Sequence, residues 1–438
     1  MALDTIPSSV LIIGSGVFGL STAYSLCKNP LFSNTSITLV DRQPFPTPDG
    51  SSIDTSRIIR ADYASPPYAK LATEALALWR TTFARDHYHE TGMCLMASSK
   101  NQSYVSDSLA NVRALGTDKI ELTPTPEDIK RVCGTANAFG TMGYVNWSSG
   151  WADAEGAMRW LHAEVSKLNR VNFITAPVSK LLINHATNTV SGARLTTNET
   201  LTADLTILAA GAWTPSLLDM RGICKATGQA LVYLPITAEE EATLSSRPTI
   251  LDVSTGLFMI SPSRRLLKIA RHGHGYVNPT AIPNPESDDP KETITVSLPY
   301  THLDDANLTV PVEAQIECRD FLSTIHPSFS DPKTRPFTKS KICWYTDTPN
   351  HDFLISYHPR YSGLFVATGG SGHAFKFLPV VGDCIVETVL GRTPEDFVGQ
   401  WEWPAERRAE SEWAGDGSRG GAKGMVLREE MQKSRSKL

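Results

Sequence analysis

Val10-Leu-Ile-Ile-Gly14-Ser-Gly16-Val-Phe-Gly19, then an apolar stretch to about Leu26 and Ile37-Thr-Leu-Val-Asp41, decides the fold. The β-branched run predicts a strand buried in a parallel sheet. The glycine loop opens a predicted helix, and a second strand ends on an acid, which completes one βαβ unit. Gly14 permits the tight turn, Gly16 lets backbone approach a pyrophosphate, and Gly19 lets helix and strand pack closely. The helix N-terminus offers unpaired N–H groups and a favourable dipole to that diphosphate. Asp41, about 20 residues on, suits both ribose hydroxyls of an adenosine and would repel a 2′-phosphate. NADP is therefore disfavoured. A glycine turn with no ligand is the bland alternative, and the strand–loop–helix–strand–acid context argues against it.

Working outward, residues 42–56 form a long polar loop, and helices are expected from about Pro67 to Asp86 and from Ala154 to Lys167. Strands follow at Val171–Thr175, Lys180–Ile183, Val190–Leu195 and Leu205–Ala209. From Leu231 to Lys341 the texture changes to short strands split by Pro-rich loops, around one helix near Val312–Ile325. The α/β texture returns with strands near Ile342–Thr346, Phe353–Ser356 and Leu364–Ala367 and one helix from Gly372 to Leu390. The expected class is α/β, a Rossmann-type nucleotide-binding domain with an interleaved, mainly antiparallel β substrate domain. The expected division is 1–90, 150–225 and 340–400 for the first, 91–149 and 226–339 for the second, and a polar tail over 401–438.

Composition narrows the function. The 438 residues are 41% hydrophobic and carry a net charge of −5, with cations scattered along the chain, so neither nucleic acid nor a membrane surface is an expected partner. No apolar run approaches the roughly 18–20 residues needed to span a bilayer. Met1–Ser9 lacks the basic start of a secretory signal. Seven dispersed cysteines without ligand spacing read as reduced thiols, with no metal site expected. The terminal Ser436-Lys437-Leu438 is a peroxisomal import tripeptide, so a peroxisomal location and an import receptor are expected.

The glycine loop does not separate FAD from NAD. The segment Leu205-Thr-Ile-Leu-Ala-Ala-Gly211-Ala-Trp213 resembles the strand that flavoprotein oxidoreductases bring beside FAD. Four further segments resemble the sarcosine oxidase family, which includes pipecolate, saccharopine and fructosyl-amine oxidases. They are Asp49–Arg60, Tyr144–Glu155, Cys343-Trp-Tyr-Thr-Asp-Thr-Pro349 and Ala367-Thr-Gly-Gly-Ser-Gly-His-Ala-Phe-Lys-Phe377, in order along nearly the whole chain.

That resemblance implies FAD joined covalently through Cys343, whose thiol would meet the 8α-methyl of the ring. A buried structural cysteine is the bland alternative. It implies that Lys268, flanked by Leu266, Leu267, Ile269 and Ala270 in the Leu266–His272 stretch, supplies positive charge for oxygen reduction. It implies that Arg60 and Lys376 clamp the substrate carboxylate, the guanidinium giving bidentate geometry and the ammonium a point charge. His272 and Tyr345 match pocket residues facing the substrate and could equally be satisfied core polar groups. Gly14, Gly16, Val17, Phe18, Gly19, Asp41, Arg42, Ser56, Arg57, Val178, Gly211, Phe375 and Lys376 are carried over as flavin contacts. Arg271, His274 and Tyr276 have no assigned role, and extra cations there would suit a polycarboxylate. The expected activity is oxidation of a secondary amino acid at its C–N bond by a monomer, with O2 reduced to H2O2. Saccharopine ranks first, then pipecolate and sarcosine-like substrates. A fructosyl-amino-acid oxidase is the alternative; an NAD-linked dehydrogenase is disfavoured by the large second domain and Cys343, and a non-catalytic flavin-binding protein by the presence of Lys268 and Arg60.

Overall fold

The Val10–Ile13 run does form a central strand. The computed structural model describes residues 5–435, so the terminal Ser436-Lys437-Leu438 lies outside the described residues. A six-stranded sheet runs Leu354–Tyr357, Leu364–Thr368, Leu205–Leu208, Ser9–Ile13, Ser36–Asp41, Val171–Thr175. All neighbours are parallel except the first pair, and Val10 stands in register with both Leu205 and Ile37. Helix Val17–Lys28 covers one face and packs against Ala154–Lys167 and Val381–Val389.

The second sheet has ten strands, mainly antiparallel. Its centre is Lys225–Pro235, paired on one side with Leu266–Arg271 and on the other with Lys339–Asp347. Strand alternation sorts these side chains between two cores. Leu267 and Ile269 face helix Val312–Ile325 and pack with Phe321 and Leu322. Tyr233, Ala270 and Cys343 face the nucleotide-binding sheet, and by the same period Lys268 lies on that side. Each fully buried Leu, Ile or Phe in these layers contributes ~1.5–3 kcal/mol. The strand bearing Cys343 is thus fixed by apolar packing on its far face.

Three expectations shift. Met93–Ala97, Ile120–Thr123 and Met142–Asn146 extend the large sheet, where no elements were expected. The expected helix 67–86 stops at Thr81. The expected single helix 372–390 is a glycine turn, a short 3-10 turn over Ala374–Phe377, and then helix Val381–Val389. Positive φ at Gly369, Ser371 and Gly372 and Pro379, which lacks the N–H a helix interior needs, break it. Residues 401–435 are not free of the body. Met425–Val426 adds a parallel strand beside Tyr276–Val277, and Leu427–Arg435 packs on Val312–Ile325.

Candidate active site

Two adjoining cavities lie between the sheets. The larger, of ≈340 Å³, begins at the glycine loop and Asp41 and ends at Tyr345, Gly372 and Phe375. Helix Val17–Lys28 starts there with no cap from its N-cap residue Gly16; the Val17 N–H donates to the Ser52 hydroxyl at 3.1 Å, and the positive end of the helix is turned to the cavity. A Cβ on Gly14 would stand 2.4 Å from the Ala209 carbonyl oxygen, and one on Gly19 would stand 1.9 Å from that of Gly14. Asp41 is held by Ser15, whose N–H and hydroxyl donate to one carboxylate oxygen at 2.7 and 2.6 Å. Arg42 pairs with Asp49 and lies 3.8 Å over the Trp213 ring.

Val17, Phe18, Arg57, Val178 and Gly211 also line this cavity. Ser56 is buried but lines neither cavity, and Gly19 serves by packing the helix onto the strand. A space with a helix N-terminus at one end and aromatic residues at the other fits an adenine dinucleotide. The bound FAD would supply the two-electron chemistry that these side chains lack.

The smaller cavity opens where Arg57, Tyr345, Gly372 and Phe375 line both spaces, and it collects Arg60, Lys268, His272, Cys343 and Lys376. Residues from opposite ends of the chain meet here because strand Arg57–Ile59 packs against the Ala374–Phe377 turn. Behind it, the buried Asp62 accepts bonds from Tyr144, Asn146 and Ser149 at 2.9, 3.0 and 2.7 Å. That cage fixes the turn carrying Arg60.

Five cations are buried among the described residues: Arg60, Lys268, Arg271, Lys376 and Arg419. Three answer a carboxylate. Lys268 meets Asp54 at 2.6 Å, Arg419 meets Asp347 at 2.6 Å, and Arg271 meets Glu313 at 2.9 Å and Glu317 at 2.5 Å. Arg271 is therefore neutralised inside the protein. Half-buried His274 is pushed down to about 4 by burial and by Lys423 and Arg419, so it is no cation either.

Arg60 and Lys376 form no ion pair among the described residues. Arg60 donates to the Tyr104 hydroxyl at 3.1 Å and leaves one buried guanidinium nitrogen without a partner. Lys376 donates to the Tyr63 hydroxyl and the His373 carbonyl, both at 2.8 Å. Tyr63 lies between them, its ring 4.6 Å from the Arg60 guanidinium and 5.1 Å from the Lys376 nitrogen. Burial and then Arg60's charge hold Lys376 well below the ordinary lysine range. Burial, with Arg419, likewise holds His272 well below its usual value, and its Nδ1 lies 3.4 Å from the Tyr345 hydroxyl.

Sequence reading missed Asp54, Tyr63, Tyr104, Tyr233 and Arg419. The first two sit within or just after the Asp49–Arg60 segment, where a signal existed. Tyr104, Tyr233 and Arg419 arrive from elsewhere in the chain, with no local pattern to announce them.

The FAD dependent oxidoreductase family matches residues 9–388. An amino acid oxidase of Aspergillus flavus is 33% identical over 450 residues, covering 88% of this chain and 93% of its own. L-saccharopine oxidase of Schizosaccharomyces pombe is 31% identical, covering 92% and 95%. The crystal structure of fructosamine oxidase (Amadoriase II) from Aspergillus fumigatus superposes with a TM-score of 0.81 at 28% identity, covering 98% and 96%. With the family's match spanning both sheets and both cavities, the chain belongs to the FAD dependent oxidoreductase family.

Proposed function

We propose that the protein is an FAD-dependent oxidase of secondary α-amino acids, held by their carboxylate and oxidised at the C–N bond to an imine that hydrolyses, with O2 reduced to H2O2. One observation carries this. Arg60 and Lys376 are the two buried cations that form no ion pair among the described residues, and both line the cavity that holds Lys268 and Cys343. A buried unpaired charge is costly, so such a pair is the mark of an anionic ligand. His272, neutral through burial, leaves the substrate amine free of a competing cation and beside Tyr345.

Names among the relatives, amino acid oxidase and L-saccharopine oxidase, support the substrate class; within it we rank saccharopine first, then pipecolate and sarcosine-like acids. The likeness to a fructosamine oxidase supports fructosyl amino acids as the second reading. A peroxide-coupled screen of saccharopine, pipecolate, sarcosine and fructosyl-lysine decides between them. Activity on fructosyl-lysine alone would reject the first.

We further propose the domain division given above, a monomer, and covalent flavin at Cys343. Cys343 is buried, lines the small cavity, and has Arg57 Nη2 3.4 Å from its sulfur, a cation suited to stabilise a thiolate nucleophile. Acid-precipitated wild-type protein should stay yellow, and Cys343→Ala should release its FAD to the supernatant. A yellow wild-type supernatant would refute the thioether. Peroxisomal import through Ser436-Lys437-Leu438 is also proposed, since the tripeptide is read at a free chain end. Deleting it should leave the protein cytosolic, and persistent import would rule it out as the signal.

A further inference from the structure

We propose that Asp54 is a positioning residue for Lys268, holding that ammonium charged and in place beside the flavin cavity. The inference rests on the oxidase reading above and concerns how its oxygen step is controlled. Lys268 Nζ donates to an Asp54 carboxylate oxygen at 2.6 Å and to the Ser56 carbonyl at 2.8 Å. The same Asp54 oxygen pairs with Arg57, whose other nitrogen stands 3.4 Å from Cys343 Sγ. Asp54's second oxygen accepts from the Tyr233 hydroxyl and from the Thr55 N–H. Tyr233 in turn is the register partner of Lys268 on the neighbouring strand. One buried carboxylate thus joins the cation at the proposed attachment sulfur to the cation assigned to oxygen.

Charge makes the carboxylate necessary. Lys268 is faced by Asp54, Arg57, Cys343 and Tyr233, and by the Phe258 ring 5.9 Å away, while Lys341 acts on Asp54. The buried Lys268 and the half-buried Arg57 share one anion. Burial lowers Lys268 to about 8; Asp54 opposes that fall and Arg57 adds to it. Burial works to raise Asp54, but Lys268, Arg57 and Lys341 outweigh it and hold its carboxyl far below the usual range. Asp54 is therefore ionised wherever the enzyme works. Replacing it with a neutral amide leaves burial and Arg57 unopposed, so Lys268 gives up its proton at lower pH.

The test uses holoenzyme, reduced with dithionite and mixed with oxygen between pH 6 and 10, rates being expressed per bound flavin. The wild-type rate should fall as pH rises through about 8, where Lys268 loses its charge. In Asp54→Asn that limb should move down by about one pH unit or more, a roughly fivefold or greater slowing at pH 8. In a Lys268→Met background, Asp54→Asn should shift nothing further. Tyr233→Phe frees Asp54 of a donor that shares its charge and should move the limb the other way.

A second readout needs no turnover. A lysine whose folded value lies below its ordinary 10.5 binds fewer protons when folded, so stability rises with pH between about 8 and 10.5. In Asp54→Asn the rise in holoenzyme melting temperature should begin about one unit lower. Lys376, also lowered, contributes equally to both proteins and drops out of their difference. A limb and a melting profile that stay put in Asp54→Asn, or an equal slowing in the Lys268→Met background, would overturn the proposal. Should Asp54→Asn not retain flavin, Tyr233→Phe decides alone, with an unmoved or lowered limb counting against it. If reduced wild-type enzyme is inert to oxygen, the oxidase reading fails, and the melting profiles still decide whether Asp54 governs Lys268.

Discussion

Lys268→Met is expected to slow the reaction of the reduced enzyme with oxygen by about a hundredfold or more, a loss on the order of 3 kcal/mol from one preorganised charge. Substrate affinity should change little, because the carboxylate is assigned to Arg60 and Lys376. Methionine fits the space and removes only the ammonium. The protein should still fold, because Asp54 keeps Arg57 and Tyr233 as partners and is not stranded as a buried bare charge. The effect also has a pH signature. Lys268 is pushed down to about 8 by burial, so the wild-type oxygen step is fast below that pH and declines above it, whereas the Met variant should be slow and flat. Rapid mixing of reduced protein with oxygen across this range checks both points. An unchanged oxygen reaction would remove Lys268 from the site.

The nucleotide-binding half was legible because its information is local. Strand, glycine turn, helix and acid lie within residues 10–41; Gly14 and Gly19 each answer a close approach of backbone, while a Cβ on Gly16 would meet the Ser52 hydroxyl at 3.1 Å. The family resemblance then named Cys343, Lys268, Arg60 and Lys376, and the folded chain brings all four to one cavity. It could not say what partners they have. Asp54 and Lys268 are separated by 214 residues, and nothing in either segment signals the pairing. Charge alone misled at Arg271, whose carboxylate partners come from helix Val312–Ile325.

Composition was silent at the C-terminus for a different reason. Residues 401–435 read only as a polar tail because they are rich in Gly and charge. In the fold those glycines permit backbone contact: a Cβ on Gly420 would stand 2.0 Å from the Ser254 carbonyl oxygen. The contact lets Arg419 reach Asp347 and the Ser371 carbonyl, both at 2.6 Å. Asp347 ends the strand that carries Cys343 and Tyr345, and Ser371 lies in the turn before Lys376. The tail thereby braces the strand and the turn that build the site.

Arg60→Ala and Lys376→Ala should each weaken substrate binding by about 2–5 kcal/mol, because each leaves a desolvated carboxylate short of one cation. The double variant should cost less than the sum, with a coupling of roughly 0.5–3 kcal/mol. The geometry supplies one route to that coupling and one effect that opposes it. Both cations contact Tyr63, so either truncation frees the ring that orients the other. They also repel each other, and Arg60's charge is one reason Lys376 is held below the ordinary lysine range. Arg60→Ala should therefore let Lys376 hold its proton to higher pH, a partial compensation that the double variant lacks and that works against the coupling through Tyr63. The same repulsion fixes the sign of the pH dependence. A carboxylate entering the cavity favours charged Lys376, so binding takes up a proton and weakens as pH rises past the free enzyme's Lys376. Titration with a non-reactive carboxylic acid across pH follows this without turnover. Amines lacking the carboxylate should react poorly with the wild type and be nearly indifferent to either truncation. Strict additivity, together with carboxylate-free amines oxidised as well as amino acids, would show that the two cations do not share one anion.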